Sequence, residues 1–327
     1  MASNMKLKRF EGNPIISPIP EHPWESKATF NAGTVYEDGK VHIIYRAMSE
    51  DNVSVMGYAS SKDGFNIDER LPEPIYVPRE DFEKTKNPGG NSGCEDPRIT
   101  KIDDRFYMCY TAYDGKNPPR VALTSIKVGD FLKKKWDWKK PVLISPPELD
   151  DKDACIFPEK IGNKYMVFHR LHKFICMDVI DHMDFDGSSW LGIPNAIFCR
   201  PTGYWDNEKI GIAGPPIKTD NGWLLIYHGI SQHDRHYRIG AMLLDSDNPS
   251  IVVSRPYNHI LEPEEHYERE GVVNNVVFSC GSAVIKDTLF VYYGGADKEI
   301  GVATVNLNEF LEEIMQTPKK FCLKSNA

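Results

Sequence analysis

The feature that most constrains the fold of this chain is a strand–turn–strand pattern that recurs five times. In each copy a turn rich in Gly, Asp or Asn leads into an apolar strand ending in an aromatic residue or histidine, and a second strand follows after a short gap. The first strands with their turns read DGKVHIIYRAMS, DDRFYMCYTAYD, GNKYMVFHRLH, NGWLLIYHGIS and KDTLFVYYGGAD. The aligned ring residues are Tyr45, Tyr110, His169, Tyr227 and Tyr293, about 60 residues apart.

This repeat predicts an all-β fold, a five-bladed β-propeller, because several strands per copy at such a period are typical of propeller blades. A short C-terminal helix is predicted over 306–316, where apolar residues fall at helical spacing. The copies occupy most of the sequence, so we expect one domain over residues 1–327. The alternative is a β-sandwich in which the similarity of the copies is accidental.

Radial repetition would bring residues that are distant in sequence to one central channel. The residues that directly follow the aligned ring positions are Arg46, Thr111, Arg170, His228 and Gly294. Two arginines and a histidine meeting at an axis would form a pocket that favours anions, and arginine forks suit phosphate or carboxylate. The structural alternative is that each side chain simply bonds to a neighbouring backbone.

The composition narrows the classes of partner. The formal net charge is −8, which disfavours nucleic-acid binding. No apolar run approaches the roughly 18–20 residues of a membrane span, and no secretion signal is visible, so we expect a cytoplasmic protein without a membrane partner. The seven cysteines are scattered and form no CxxC pair, which indicates free thiols and no metal site.

The segment GCEDPRI (93–99) is the strongest catalytic candidate from the residues themselves. It places Glu95 and Asp96 beside Arg98, and the proline after Asp96 pushes that residue towards an extended backbone. Glycosidic cleavage needs an acid that protonates the leaving oxygen. A structural role, in which Asp96 pairs with Arg98 or caps a turn, is the alternative.

The chain resembles glycoside hydrolase family 130, which comprises β-mannoside phosphorylases and β-1,2-mannosidases. The resemblance spans nearly the whole chain in order. It is carried by FNAGTV (30–35), IIYRA (43–47), EDPR (95–98), DKDACIFPEKIGNKY (151–165), HR (169–170), EKIGIAGPPIKTDNGWLLIYHGI (208–230), YRIGAMLLD (237–245), ILEPEEHYEREGVVNNVVF (260–278) and YYGGAD (292–297).

The resemblance implies that Asp96 is the general acid and that its proton reaches the leaving oxygen through a mannose hydroxyl. Phosphate would attack the anomeric carbon from the opposite face and give α-mannose 1-phosphate with inversion. An external nucleophile explains why one protein carboxylate suffices. The implied substrates are a β-mannoside oligosaccharide and inorganic phosphate, with no other cofactor; a homo-oligomer stays open, as do the leaving sugar and the linkage.

The resemblance also implies two groups of binding residues. The sugar-binding residues are Asn31, Arg46, Arg98 and Asp297. The phosphate-binding residues are Lys152, Arg170, Lys209, His228 and Tyr237. The pair Lys152-Asp153 departs from the Arg-Asn pair of some family phosphorylases, and Asp153 would repel phosphate unless it pairs with Lys152.

Three other functions compete with phosphorolysis. A hydrolase on the same scaffold would need a base, for which Glu265, Glu268 and Glu270 are the candidates. A non-catalytic glycan-binding protein would need neither the acid nor the basic residues. An arabinofuranosidase or xylosidase would carry an aspartate base in its first blade, where this chain has Asn31.

Overall fold

The structure is a computed structural model that describes residues 5–192 and 195–316. It is built almost entirely of antiparallel strands, in three smaller sheets and one eight-stranded sheet. The eight-stranded sheet consists of two antiparallel units joined by a short parallel contact of Val53 with Ser92 and Ser54 with Gly93. The chain therefore forms five antiparallel units in sequence order, and the predicted all-β class is confirmed.

The units use the strands in order, except that the first strand of the chain belongs to the fifth unit. The first unit holds β2 (Ala28–Glu37), β3 (Lys40–Met48), β4 (Val53–Ser61) and β5 (Glu69–Arg70). The second holds β6 (Ser92–Ile102), β7 (Arg105–Tyr113), β8 (Arg120–Lys127) and β9 (Val142–Leu143). The third holds β10 (Asp151–Ile156), β11 (Tyr165–Leu171), β12 (Phe174–Ile180) and β13 (Asn195–Ile197).

The last two units complete the set. The fourth holds β14 (Lys209–Ile212), β15 (Ile217–Thr219), β16 (Gly222–Ile230), β17 (Tyr237–Leu244) and β18 (Val252–Ser254). The fifth holds β19 (Val277–Ile285), β20 (Thr288–Gly295), β21 (Glu299–Asn306) and β1 (Lys8–Arg9). In this last unit Lys8 pairs with Thr304 and Arg9 with Ala303, so the first strand of the chain lies beside its last.

Helices are few and short. They are a 3-10 turn (Pro23–Glu25), α1 (Val128–Leu132), α2 (His266–Arg269) and α3 (Leu307–Met315). The predicted C-terminal helix is confirmed as α3: the Asn306 side chain accepts hydrogen bonds from two backbone N–H groups of the first turn, and Phe310 and Ile314 are buried. Across the described ranges no helix combines the length and the apolar character needed to cross a membrane.

The aligned ring residues have equivalent surroundings in all five units. Each bonds to a carboxylate without solvent exposure that comes from an earlier part of the chain. The pairs are Tyr45 with Glu25, Tyr110 with Glu83, His169 with Asp151, Tyr227 with Asp206 and Tyr293 with Glu268. Arg70, Arg255 and Arg9 neutralise the carboxylate in the first, fourth and fifth pairs. The repeat seen in the sequence therefore corresponds to a repeated structural contact, in which a ring residue bonds to a buried carboxylate.

The cysteines follow the expectation where they are described. Six cysteines are free thiols, and all but Cys199 are buried. Cys322 lies outside the described residues.

Candidate active site

A β-bulge occurs in the first strand of each of three consecutive units, and the three bulges carry residues at the centre of the site. The strand register shifts between Phe30 and Gly33, between Glu95 and Arg98, and between Lys152 and Cys155. One residue in each bulge has a left-handed backbone: Asn31 (φ 49°), Asp96 (φ 54°) and Asp153 (φ 55°). Asn and Asp tolerate this conformation better than other side chains do. The extended backbone predicted for Asp96 from the following proline is therefore wrong, because the bulge holds Asp96 in the left-handed region. The tetrapeptides FNAG, EDPR and KDAC are thus the same structural feature used three times.

The strands that carry these bulges lie against one another, with β2 next to β6 and β6 next to β10. Close approach depends on glycine at two points. A Cβ on Gly33 would lie 2.3 Å from the Pro97 carbonyl oxygen, and one on Gly294 would lie 2.5 Å from Asn31 Oδ1. Gly294, which follows the ring residue Tyr293 in the fifth copy, therefore lies against Asn31 of the first unit.

Asp96 is the centre of an acidic cluster organised by one guanidinium. Its Oδ1 accepts hydrogen bonds from Asn31 Nδ2 at 2.9 Å and from Arg46 Nη1 at 3.1 Å. Arg46 Nη2 bonds to Glu95 Oε1 at 2.9 Å, and its Nε donates to Ser54 Oγ. Arg46 is therefore held on both edges and fixes the two neighbouring carboxylates relative to each other.

The carboxylates of this cluster differ in the ease of protonation. Burial raises the pKa of Asp297 to about 7, since Arg46 only partly offsets burial and Asp96 and Glu95 add negative charge. Burial also raises the pKa of Glu95, against the opposing charge of Arg46. For Asp96, burial is outweighed by Arg46, Arg98 and the Asn31 hydrogen bond, which hold its pKa below the ordinary value. Asp297 therefore holds a proton more readily than Asp96 does.

A cavity of about 340 Å³ opens onto this cluster. Its polar lining is Arg46, Asn91, Glu95, Lys152 and Asp297. Its other lining residues are Phe30, Met48, Tyr113, Pro119, Val272 and Val273. The wall is about half polar and half apolar, and its converging polar groups can fix the orientation of a small polar ligand.

Cations gather on the side of Asp96 that leads to the third and fourth units. Lys209 Nζ donates to Tyr237 Oη at 2.9 Å. Burial and the positive charges of Arg170 and Lys152 lower the pKa of Lys209 to about 8. Lys152 lies opposite Arg170 in the register of β10 and β11, and the charges of both act on Lys209. The arrangement can therefore bind an anion with two or more charges.

Asp153 and His228 complete this part of the site. Asp153 lies 2.9 Å from Arg170 Nε, 3.4 Å from His228 Nε2 and 3.2 Å from Arg98 Nη2. Its partners are thus Arg170, His228 and Arg98, whereas the sequence suggested Lys152. Lys152 is instead half-buried and lines the cavity. Burial lowers the pKa of His228 to about 4, so the imidazole is neutral near neutral pH.

Arg98 connects the part of the site around Asp96 with the part around Asp153. Its guanidinium donates to the backbone oxygens of Asp96, Ala213 and Ile212 and pairs with Asp153. It is almost fully buried and is not among the residues that line the cavity. The sugar contact expected for Arg98 stays a prediction. Its observed contacts hold Asp96, Asp153 and the backbone of residues 212 and 213 together.

The three glutamates considered as hydrolytic bases lie elsewhere. Glu268 is buried against Arg9 and Tyr293, and Glu265 forms a capping box at the start of α2. Glu270 is exposed beside His266. None of the three lines the cavity described above.

Sequence reasoning missed three contributors to the site. Glu95 was noted only as a neighbour of Asp96, yet it lines the cavity and binds Arg46. Asp153 was expected to oppose phosphate, yet it pairs with Arg170 and approaches His228. Gly211 received no role, yet a Cβ there would strike His228 and Asp153. Alignment of the three bulge tetrapeptides would have drawn attention to Asp153 from sequence alone.

The chain is similar to known proteins over nearly its whole length. A family model described as beta-1,4-mannooligosaccharide phosphorylase matches residues 6–317. The chain is 40% identical to a 1,2-beta-oligomannan phosphorylase of Thermoanaerobacter sp. (strain X514), covering 93% of this chain and 99% of that protein. It is 41% identical to a Beta-1,2-mannobiose phosphorylase of the same organism, covering 92% and 97%.

A solved structure shares the fold. The Beta-1,2-Mannobiose phosphorylase from Listeria innocua, in complex with beta-1,2-mannobiose, superposes with a TM-score of 0.77 at 27% identity. The similarity covers 95% of this chain and 99% of that one.

Proposed function

Because this chain belongs to glycoside hydrolase family 130, we propose that it cleaves a β-1,2-mannosidic bond with inorganic phosphate and releases α-mannose 1-phosphate. It is an enzyme of the β-mannoside phosphorylase type. The observation that carries the proposal is the group of Lys152, Arg170 and Lys209, close enough to lower the pKa of Lys209, on one side of Asp96. An enzyme that used water as nucleophile would have no need of this charge.

We further propose that the five units are the blades of a five-bladed propeller and that the chain is one catalytic domain. Three observations support this arrangement. The ring residue and its buried carboxylate recur in every unit, the bulged first strands of three units lie side by side, and β1 adds to the fifth unit. Closure by a strand from the other end of the chain is a way of protecting the edges of a propeller.

In the proposed reaction the cavity holds the mannose residue whose bond is broken. Asn31, Arg46 and Asp297 bind its hydroxyl groups, and Glu95 holds Arg46 in place. Asp96 supplies a proton through a mannose hydroxyl to the oxygen of the leaving sugar, and the glycosidic bond breaks. Asp96 must be protonated at that moment, and exclusion of water by bound sugar favours its neutral form.

Phosphate enters on the opposite face of the sugar. Lys152, Arg170, Lys209, Tyr237 and His228 bind it so that one oxygen attacks the anomeric carbon and forms the C–O bond of α-mannose 1-phosphate. The proton that hydrogen phosphate carries balances the proton given to the leaving sugar. The reaction consumes no cofactor, and phosphate is the only co-substrate required.

The test is an assay of the purified enzyme on β-1,2-mannobiose with and without phosphate. We expect mannose and α-mannose 1-phosphate in equal amounts when phosphate is present, and negligible cleavage when it is absent. Free mannose released at the same rate without phosphate would reject phosphorolysis in favour of hydrolysis. No cleavage under either condition would favour a glycan-binding protein.

The low pKa of Lys209 predicts how phosphate binding depends on pH. Below about pH 8 Lys209 is an ammonium group; above it the group becomes neutral and one contact to the phosphate dianion weakens. We expect KM for phosphate to rise by about tenfold from about pH 8 to about pH 9.5. Initial rates at saturating mannobiose measure it.

A matched control is Lys209→Arg, whose guanidinium stays charged over this range. In this variant KM for phosphate should stay nearly constant with pH, whatever its absolute value. If KM for phosphate rises equally in the wild type and in Lys209→Arg, a group other than Lys209 causes the pH dependence.

A further inference from the structure

The carboxylate of Asp153 is in an unusual place for a site that must bind phosphate. It lies in the bulge of β10 with only 1% of its surface exposed. Burial alone would raise the pKa of Asp153, but Arg170 and Arg98 beside it hold the pKa well below the ordinary value. The group is therefore a permanent negative charge among the residues expected to bind an anion.

The contacts of Asp153 explain how that charge is tolerated. One oxygen faces Arg98 Nη2 at 3.2 Å, and the other faces Arg170 Nε at 2.9 Å and His228 Nε2 at 3.4 Å. The distances are those of ion pairs, while the angles to Arg170 and His228 fall short of good hydrogen bonds. Contacts of this kind often tighten when the ligand enters the site.

Each contact prepares its partner for phosphate. An arginine held through Nε keeps its guanidinium plane fixed and leaves its terminal nitrogens for a second anion. A neutral histidine whose Nε2 faces a carboxylate carries its proton on Nε2, which leaves a lone pair on Nδ1. Both ring nitrogens of His228 are buried and lack a well-formed hydrogen bond among the described residues, but Nε2 faces the Asp153 carboxylate at 3.4 Å. Nδ1 is therefore suited to accept a hydrogen bond from the P–OH group of hydrogen phosphate.

The third contact links the phosphate side to the acid side. The Arg98 guanidinium that faces Asp153 also donates to the backbone oxygen of Asp96 at 2.9 Å. Asp153 and Asp96 occupy equivalent bulges in adjacent units, so one buried arginine sets the distance between the two bulges.

We propose that Asp153 is a positioning residue for phosphate: it orients Arg170 and fixes the Nε2–H tautomer of His228, so that Nδ1 accepts a hydrogen bond from the P–OH group of hydrogen phosphate. This inference rests on the proposed phosphorolysis. It differs from the expectation drawn from the sequence, in which Asp153 would merely repel phosphate unless neutralised.

The test is Asp153→Asn, which keeps size and shape but removes the charge. We expect KM for phosphate to rise by roughly tenfold to a hundredfold, with KM for mannobiose changed less than about twofold. The phosphate-induced rise in melting temperature should shrink in parallel, which measures binding without turnover. A lower KM for phosphate would show that Asp153 is repulsive, and an unchanged KM would show that it only supports the fold; both would overturn the proposal.

A matched control lies two residues away. Asp151 is also fully buried on β10 and also pairs with a histidine, His169 Nδ1 at 2.9 Å, but it belongs to the ring contacts and not to the site. Asp151→Asn should lower the melting temperature without phosphate and leave both KM values unchanged.

A second pair of variants keeps the proposal testable if Asp153→Asn does not fold. His228→Asn places an amide oxygen near the position of Nδ1, whereas His228→Gln extends its amide towards Asp153 and leaves Nδ1 unreplaced. We expect the Gln variant to have a KM for phosphate roughly tenfold above that of the Asn variant. Equal values would contradict the role of Nδ1.

The wild-type protein separates this inference from the proposed function. If it forms no mannose 1-phosphate and shows no phosphate-induced stabilisation, the proposed function fails. If it does both and the Asp153 and His228 variants behave like it, only the positioning role fails.

Discussion

Replacement of Asp96 by asparagine is expected to lower kcat for phosphorolysis of β-1,2-mannobiose by about a thousandfold or more. The amide cannot supply a proton, although it fills the same space between Asn31 and Arg46. Binding of the sugar should survive, because Arg46 remains anchored by Glu95 and Ser54. The measurement is the initial rate of mannose 1-phosphate formation, with mannobiose binding followed by calorimetry.

The chemistry of the leaving group supplies an internal check. A leaving group that is already acidic, such as a dinitrophenolate, needs little help from a proton donor. The loss caused by Asp96→Asn should therefore be much smaller on dinitrophenyl β-mannoside than on mannobiose. Equal losses on both substrates would mean that Asp96 positions the sugar and does not act as the acid.

A control variant separates chemistry from backbone strain. Asp103 also has a left-handed backbone (φ 52°), but it lies exposed in the turn between β6 and β7. Asp103→Asn should leave kcat and both KM values unchanged. A loss of activity in this variant would indicate that the β6–β7 hairpin itself is sensitive to the substitution.

The repeated strands were predictable because their pattern is local. An apolar strand ending in a ring residue can be recognised within a dozen residues, and the five ring residues were identified correctly as equivalent. Their buried carboxylates were not found, because they precede the ring residue by a variable 18 to 27 residues and lie in different kinds of element, Asp151 on β10 and Glu268 in α2. Variation in loop length hides such partners from any search at fixed spacing.

The site was predictable only in part, for a similar reason. Asp96 and the basic residues could be named from the family motifs, since these motifs are contiguous in sequence. The hydrogen bonds of Arg98 reach the backbone oxygens of Ile212 and Ala213, which lie 114 and 115 positions further along the chain. Such contacts follow from the tertiary structure alone. For Asp153, adjacency in sequence suggested Lys152 as its partner, but neighbours on a strand face opposite ways and its partners come from other strands.

Replacement of Gly211 by alanine is expected to raise KM for phosphate by about a hundredfold while leaving KM for mannobiose nearly unchanged. Gly211 on β14 lies directly opposite His228 on β16. A Cβ at this position would lie 2.4 Å from His228 Nε2 and 2.6 Å from Asp153 Oδ2, distances that require one of the two groups to move. The substitution therefore disturbs the phosphate side of the site without removing any charge.

Gly129→Ala in α1 is the matched control, because a Cβ there has no neighbour within 4 Å. Its kinetic constants should equal those of the wild type. Phosphate KM, mannobiose KM and melting temperature should be measured for both variants, since a general loss of stability in Gly211→Ala would affect both substrates alike. A Gly211→Ala enzyme with wild-type phosphate KM would mean that His228 and Asp153 can move apart without consequence. In that case the exact placement of neither residue matters for phosphate binding, and Lys152, Arg170, Lys209 and Tyr237 hold the anion.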